Sequence, residues 1–242
     1  MLRETAHAGE GPGRRSLGEG GHHPALAHHF DNLAQQKEAA TLGMWVFLVT
    51  EVLFFGGLFA AYSIYRGWYP DAFAAASRTL DITLGTVNTA VLICSSLTVV
   101  MAVRAAQLGK RQQQVIYLAL TLVLGLAFLG VKAVEWTSKF KEHHIPGPTF
   151  NFEGSIPSHP DQPVDQHHAQ IFFSLYFAMT GMHALHMVIG VGIFAYLLYH
   201  AWKGKYTPDY YTPLENSGLY WHFVDIVWIY LFPLLYLIDR KK

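Results

Sequence analysis

The chain has 242 residues, 52 % of them hydrophobic and only 14 % charged, with no net charge at pH 7, a pI near 7.3 and a mean hydropathy of +0.22. A soluble domain carries nearer a quarter charged residues, and a nucleic-acid binder shows a basic patch, so the balance argues against both and for lipid. Cys94 is the single cysteine, which excludes a disulfide within the chain.

The first segment, MLRETAHAGEGPGRRSLGEGGHHPALAHHFDNLAQQKE, is rich in Gly, His and charge and has no apolar core of its own. It reads as a flexible polar tail over 1–40. Arg14 and Arg15 resemble the start of a twin-arginine export signal, but SLGEGGHHP follows where an apolar stretch is required. The pairs His22, His23 and His28, His29 offer metal-ligating nitrogens, against the simpler reading of a solvated tail.

Beyond the tail the apolar residues fall in five blocks, about 41–65, 82–106, 115–137, 169–200 and 218–238. Each is about 20 residues or longer, enough at ~1.5 Å per residue to cross the hydrocarbon of a bilayer. Backbone groups in lipid need internal partners, and blocks this long exclude barrel strands, so the fold class is all-α, a polytopic bundle of five transmembrane helices over 41–242. The connections are short except 138–168, where five prolines and no sustained period predict an irregular surface loop. Nine Lys and Arg lie on the N-terminal side of the membrane and seven on the other, a lean toward a cytoplasmic N-terminus and a periplasmic C-terminus. No internal repeat of the kind that builds secondary transporters is visible.

Ionisable side chains inside these blocks point to helix interfaces or sites, because lipid tails offer them nothing. In GMWVFLVTEVLFFGGLFAAY, Glu51 lies near mid-depth with no basic residue one turn away on its own helix. An apolar setting favours its neutral form, leaving three roles open: a hydrogen bond to another helix, proton transfer, or ion transport. Gly56 and Gly57, with Ala60 and Ala61 a turn on, suit close approach of a helix or a lipid. Lys132 and Glu135 read as an ion pair near a helix end, the lysine extending toward the headgroups. His183 and His186 share a face with Met179 and Gly190 in TGMHALHMVIG. His186 and His200 have the spacing of stacked haem ligands on one helix, but no second helix offers a matching pair. In YWHFVDIVWIYLF, His222 and Asp225 stand one turn apart and read as a hydrogen-bonded pair, with Trp221 and Trp228 on a neighbouring face and Tyr220 and Trp221 as interfacial aromatics. No serine triad, phosphate loop or CxxC occurs.

Taken together, MWVFLVTEVLFFGGLFAAY at 44–62, TVNTAVLICSSLTV at 86–99, LGLAFLGVKAVEW at 124–136, FAMTGMHALHMVIG at 177–190 and YWHFVDIVWIYLF at 220–232 resemble subunit III of the haem-copper oxidases, the cytochrome c oxidase subunit 3 family. The resemblance runs in order over about 200 residues. It implies a non-catalytic core subunit of a proton-pumping terminal oxidase. Such a subunit packs on subunit I, binds phospholipid, and supports proton uptake and durability, while haem and copper reside in partner subunits I and II and none in this chain. Glu51 would then be the family's buried glutamate, and Glu135, His183, His186, His222, Asp225 and Trp228 would be positions of the proton environment and of packing. Fuller members have seven helices; five matches the short bacterial form of the inner membrane. A cytochrome c or an additional small subunit could meet the loop 138–168. A quinol oxidase or a nitric oxide reductase accessory subunit is the neighbouring alternative, and an independent ion transporter is the reading outside the family.

Overall fold

The computed structural model describes residues 26–28, 30–157, 159–208 and 210–238. It contains α1 (Leu33–Trp68), α2 (Pro70–Arg78), α3 (Ile82–Gln107), α4 (Arg111–Lys141), a small antiparallel hairpin of β1 (Ser155–Ile156) and β2 (His159–Pro163), α5 (Gln166–Trp202) and α6 (Thr212–Tyr236). Five helices, all but α2, are long and apolar enough to span a membrane. The all-α five-helix bundle is thus observed, with longer helices than the apolar blocks alone define.

The extensions come from capping. Asn32 accepts the amide of Gln35 and starts α1 inside the polar segment, so the tail gives way to helix at Leu33 rather than after residue 40. Arg14 and Arg15, His22 and His23, and His29 lie outside the described residues. Asp81 caps α3 through the amides of Thr83 and Leu84, and Asp165 caps α5 through those of His167 and His168. Those two amides hold the Asp165 carboxyl below the usual carboxylate range. Gly109 and Gly204, at φ 67° and 76°, close α3 and α5 with paired amide bonds to carbonyls a turn back. At the end of α4 the same closure places His143 at φ 58°, a conformation that disfavours a side chain.

Two connections hold more structure than expected. The segment 66–81 contains α2, started by Pro70 and buried through Phe73 and its alanines against α1, α5 and α6. The loop 138–168 is shortened at both ends by α4 and α5, and its middle is folded. Gln166 brackets Phe152, donating to its carbonyl at 2.5 Å and accepting its amide at 2.9 Å, and the His144 ring stacks on Phe173 with centroids 4.8 Å apart. Burial, with Lys139 nearby, holds His144 below the usual histidine range.

α6 lies innermost, packing on α1, α3 and α5; half of its most apolar window is buried, against 11 % for α1. α4 completes the ring by packing on α3 and α5. α1 and α3 flank α6 without packing on each other among the described residues. Trp221 fills the centre, and only glycines admit it: a Cβ at Gly125 or at Gly190 would stand 2.8 Å from its ring.

Candidate functional site

The intramembrane polar residues resolve into three clusters, each joining different helices. The first joins α1 to α5. Glu51 Oε2 lies 3.1 Å from His186 Nε2, so the partner missing from its own helix comes from 135 residues along the chain. His186 Nδ1 is 2.8 Å from the Met182 carbonyl. A carbonyl only accepts, so Nδ1 carries the hydrogen and Nε2 faces the carboxyl. A single proton then lies between Glu51 and His186, either on the acid with a neutral ring or on the ring beside a carboxylate. The pair is neutral overall in both forms, which is what a hydrocarbon setting tolerates. Tyr220 fixes this turn by donating to the His186 carbonyl at 2.8 Å, and the Glu51 side chain remains 19 % exposed on the membrane side.

His183 does not join this pair, although both histidines belong to α5. Its Nε2 donates to the Val224 carbonyl of α6 at 3.2 Å, and its ring is enclosed by Phe128 and Trp228. The two histidines therefore pin α5 to different neighbours. His200, the second half of the haem spacing, is spent near the helix end on the Tyr196 carbonyl.

The second cluster lies among α4, α5 and α6. Lys132 Nζ meets Glu135 Oε2 at 3.0 Å and Tyr236 Oη at 2.5 Å, with Tyr176 Oη at 3.4 Å. Both tyrosines also donate to Glu135 Oε1, at 2.8 Å and 2.5 Å. The lysine does not extend to the headgroups as expected; its side chain is 3 % exposed and lies over the faces of Trp228, Tyr176 and Tyr236. The inward direction wins because every proton of the ammonium finds an oxygen there.

The third cluster joins α3 and α6. The direct His222–Asp225 bond expected from the spacing is absent. Ser96 of α3 takes the ring instead, with its Oγ 2.6 Å from His222 Nδ1, and both oxygens of the buried Asp225 carboxyl lack a hydrogen-bond partner. A residue on a facing helix reaches between two side chains of one turn more easily than those side chains bend toward each other.

The tryptophans are structural. Trp221 donates to Ser95 Oγ at 3.0 Å and Trp228 to Thr89 Oγ1 at 3.1 Å. Tyr220 and Trp221 are not interfacial, because α6 begins at Thr212 and leaves them more than two turns inside and buried. Gly56 and Gly57 meet nothing within 4 Å of an added Cβ, so the close approach they allow is not used among the described residues. Ser96 and Tyr176 are not singled out by the sequence. Their one signal is a hydroxyl one or more turns inside an apolar block.

Residues 26–145 and 167–239 match the family model described as cytochrome c oxidase subunit III. The chain is 28 % identical over 211 residues to cytochrome c oxidase subunit 3 of Thermostichus vulcanus, covering 87 % of this chain and 92 % of the relative. It is equally similar, 28 % over 212 residues, to cytochrome bo(3) ubiquinol oxidase subunit 3 of Pseudomonas aeruginosa, covering 88 % and 91 %. Quinol oxidase subunit 3 of Bacillus subtilis is 30 % identical over 201 residues, 81 % of this chain and 85 % of that one.

Proposed function

Since the chain belongs to the cytochrome c oxidase subunit III family, we propose that it serves as the non-catalytic third subunit of a proton-pumping haem-copper terminal oxidase in aerobic respiration. In this reading it packs against subunit I in the plasma membrane of a bacterium, with its N-terminus in the cytoplasm. Haem and copper are held by subunits I and II, and phospholipid occupies the grooves between its helices.

The observation that carries the proposal is the Glu51–His186 pair. One proton shared at mid-depth, on the least covered of the spanning helices, suits a residue pair that tunes the protonation of a neighbouring subunit without moving electrons. The relatives include both cytochrome c and quinol oxidase subunits at similar identity, so a quinol-oxidising complex is the second reading. Subunit II, which receives the electrons, decides between them.

The test is to extract the tagged chain in mild detergent, identify what co-purifies, and compare Glu51→Gln with the unaltered complex during continuous turnover. We expect haem-copper subunits I and II in the eluate. The variant should assemble normally but inactivate after fewer turnovers, or take up protons more slowly at high pH. An oxidase whose turnover number, lifetime and proton stoichiometry are unchanged by Glu51→Gln would remove the mechanistic half of the proposal.

A further inference from the structure

Each ionisable group of the first two clusters meets an opposite charge or shares a proton within the chain, and Asp225 does neither. It is 3 % exposed, and among the described residues neither of its carboxyl oxygens closes a hydrogen bond. No countercharge faces it from the neighbouring helices. On α3 the nearest is Arg104, two turns beyond Ser96 at the end of the bundle where α1 begins. On α1, Lys37 is paired with Glu215 at that same end, and His183 and His186 of α5 are committed to the Val224 carbonyl and to Glu51. A buried carboxyl in this position rests as the neutral acid.

What Asp225 has is a route to water. Ser96 Oγ lies 2.6 Å from His222 Nδ1, and the same hydroxyl is within reach of the Asp225 carboxyl, so it stands between ring and acid. His222 Nε2, on the other edge of the ring, is left to the groove that the ring lines. That groove, of about 510 Å³, has Arg104 and the Lys37–Glu215 pair at its mouth, and Thr41 and Asn216 continue a mostly polar lining toward His222, two turns of α6 farther in. A space this roomy and polar holds water. Past Asp225 the lining turns to Ile93 and Ile229, so the approach is from one side.

We propose that Asp225 is a proton-exchanging acid, reached from the side of the membrane where α1 begins through the groove, His222 and Ser96. A hydronium in the groove gives a proton to His222 Nε2. Nδ1 then passes its hydrogen to Ser96 Oγ as Oγ passes its own to the Asp225 carboxylate, which leaves water, a neutral ring and a neutral acid. The reverse sequence returns the proton to the groove. This proton is separate from the one held between Glu51 and His186 on the α1–α5 side. Nothing in the route depends on which complex the chain joins, so its failure leaves the functional proposal standing.

The experiment is infrared spectroscopy of the full-length chain in its membrane complex during exchange from H2O into D2O buffer. The carbonyl stretch of protonated Asp225, isolated as the difference between the unaltered protein and Asp225→Asn, should shift as soon as the solvent is replaced. Ser96→Ala and His222→Phe should slow that shift by about tenfold or more, and Ser96→Thr, which keeps the hydroxyl, should exchange at the original rate. A Ser96 that only packs would not separate threonine from alanine in rate. Asn216→Leu narrows the groove without touching the relay and should slow the shift too, and it reads the route even where Ser96→Ala fails to assemble. The proposal is overturned by a difference spectrum with no protonated carboxyl, by a band that stays unshifted for hours in the unaltered protein, or by a rate that neither Ser96→Ala nor Asn216→Leu changes.

Discussion

Removing the cation from the second cluster, with Lys132→Met, tests whether the buried ion pair is a closed unit. Lys132 Nζ and Glu135 Oε2 are 3.0 Å apart. At an effective dielectric of ~20, unit charges at that distance attract by roughly 5–6 kcal/mol. Stripping water from the two ions costs several kcal/mol each, so the intact pair is near balance and the single variant is not. Glu135 then keeps only the tyrosine hydroxyls as compensation, and the expected loss is about 3–5 kcal/mol. For a chain of this size that lowers the melting temperature by roughly 6–20 °C. In the double variant Lys132→Met, Glu135→Gln the amide oxygen continues to accept from Tyr176 and Tyr236, no charge is left buried, and about 2 kcal/mol returns. Thermal unfolding of the purified chain in mild detergent, followed by circular dichroism, reads both. A single variant within about 1 kcal/mol of the original, or a double variant whose loss is the sum of the two singles, would refute the reasoning. Either result would mean that Lys132 finds water.

Gly190→Ala sets a Cβ 2.8 Å from the Trp221 ring and should cost about 1–3 kcal/mol in the same assay, whereas Gly56→Ala and Gly57→Ala meet open space and should stay within ~0.5 kcal/mol of the original, or gain slightly from helix propensity. His143→Gly relieves a left-handed residue at the end of α4 and should stabilise by about 0.5–1 kcal/mol. His144 titrates below the ordinary histidine range when folded, so its contribution is complete above pH ~6.5 and shrinks as pH falls from there toward the folded value. The protection factor of the Asn151 amide, whose hydrogen is bonded to the His143 carbonyl, should therefore fall on acidification, and that fall should vanish in His144→Phe.

The spans were legible because their signal is additive: some twenty apolar residues in a row need no knowledge of what they touch. The bundle's pairings were not. Glu51 and His186 were each singled out, but nothing in either helix records that α1 lies against α5, and their bond closes over 135 residues. The i, i+3 rule correctly placed His222 and Asp225 on one face and then misassigned the bond, because spacing on one helix says nothing of Ser96 on another. The nearness of Lys132 to a helix end points its amine outward, and the two tyrosines that draw it inward come from α5 and α6. α2 was lost for a different reason. Nine residues, PDAFAAASR, carry too little apolar length to register, although Pro70 at the start and the alanines behind it are a helix signal in themselves.

The separation of Glu51 from His186 also sets a condition on biosynthesis. α1 enters the bilayer before the helices it packs on most, α5 and α6. At about 5–20 residues per second, the 135 residues between acid and base take roughly 7–27 s to synthesise. Throughout that interval Glu51 sits in lipid with no imidazole to share its proton, at a cost of a few kcal/mol on insertion scales. The flanking leucines, valines and phenylalanines of α1, each favouring the membrane by about 0.3–0.6 kcal/mol, must hold the span in place on their own until α5 arrives. The apolar run of this loosely packed helix is thus a requirement of its waiting time in the membrane as well as of its place in the finished bundle.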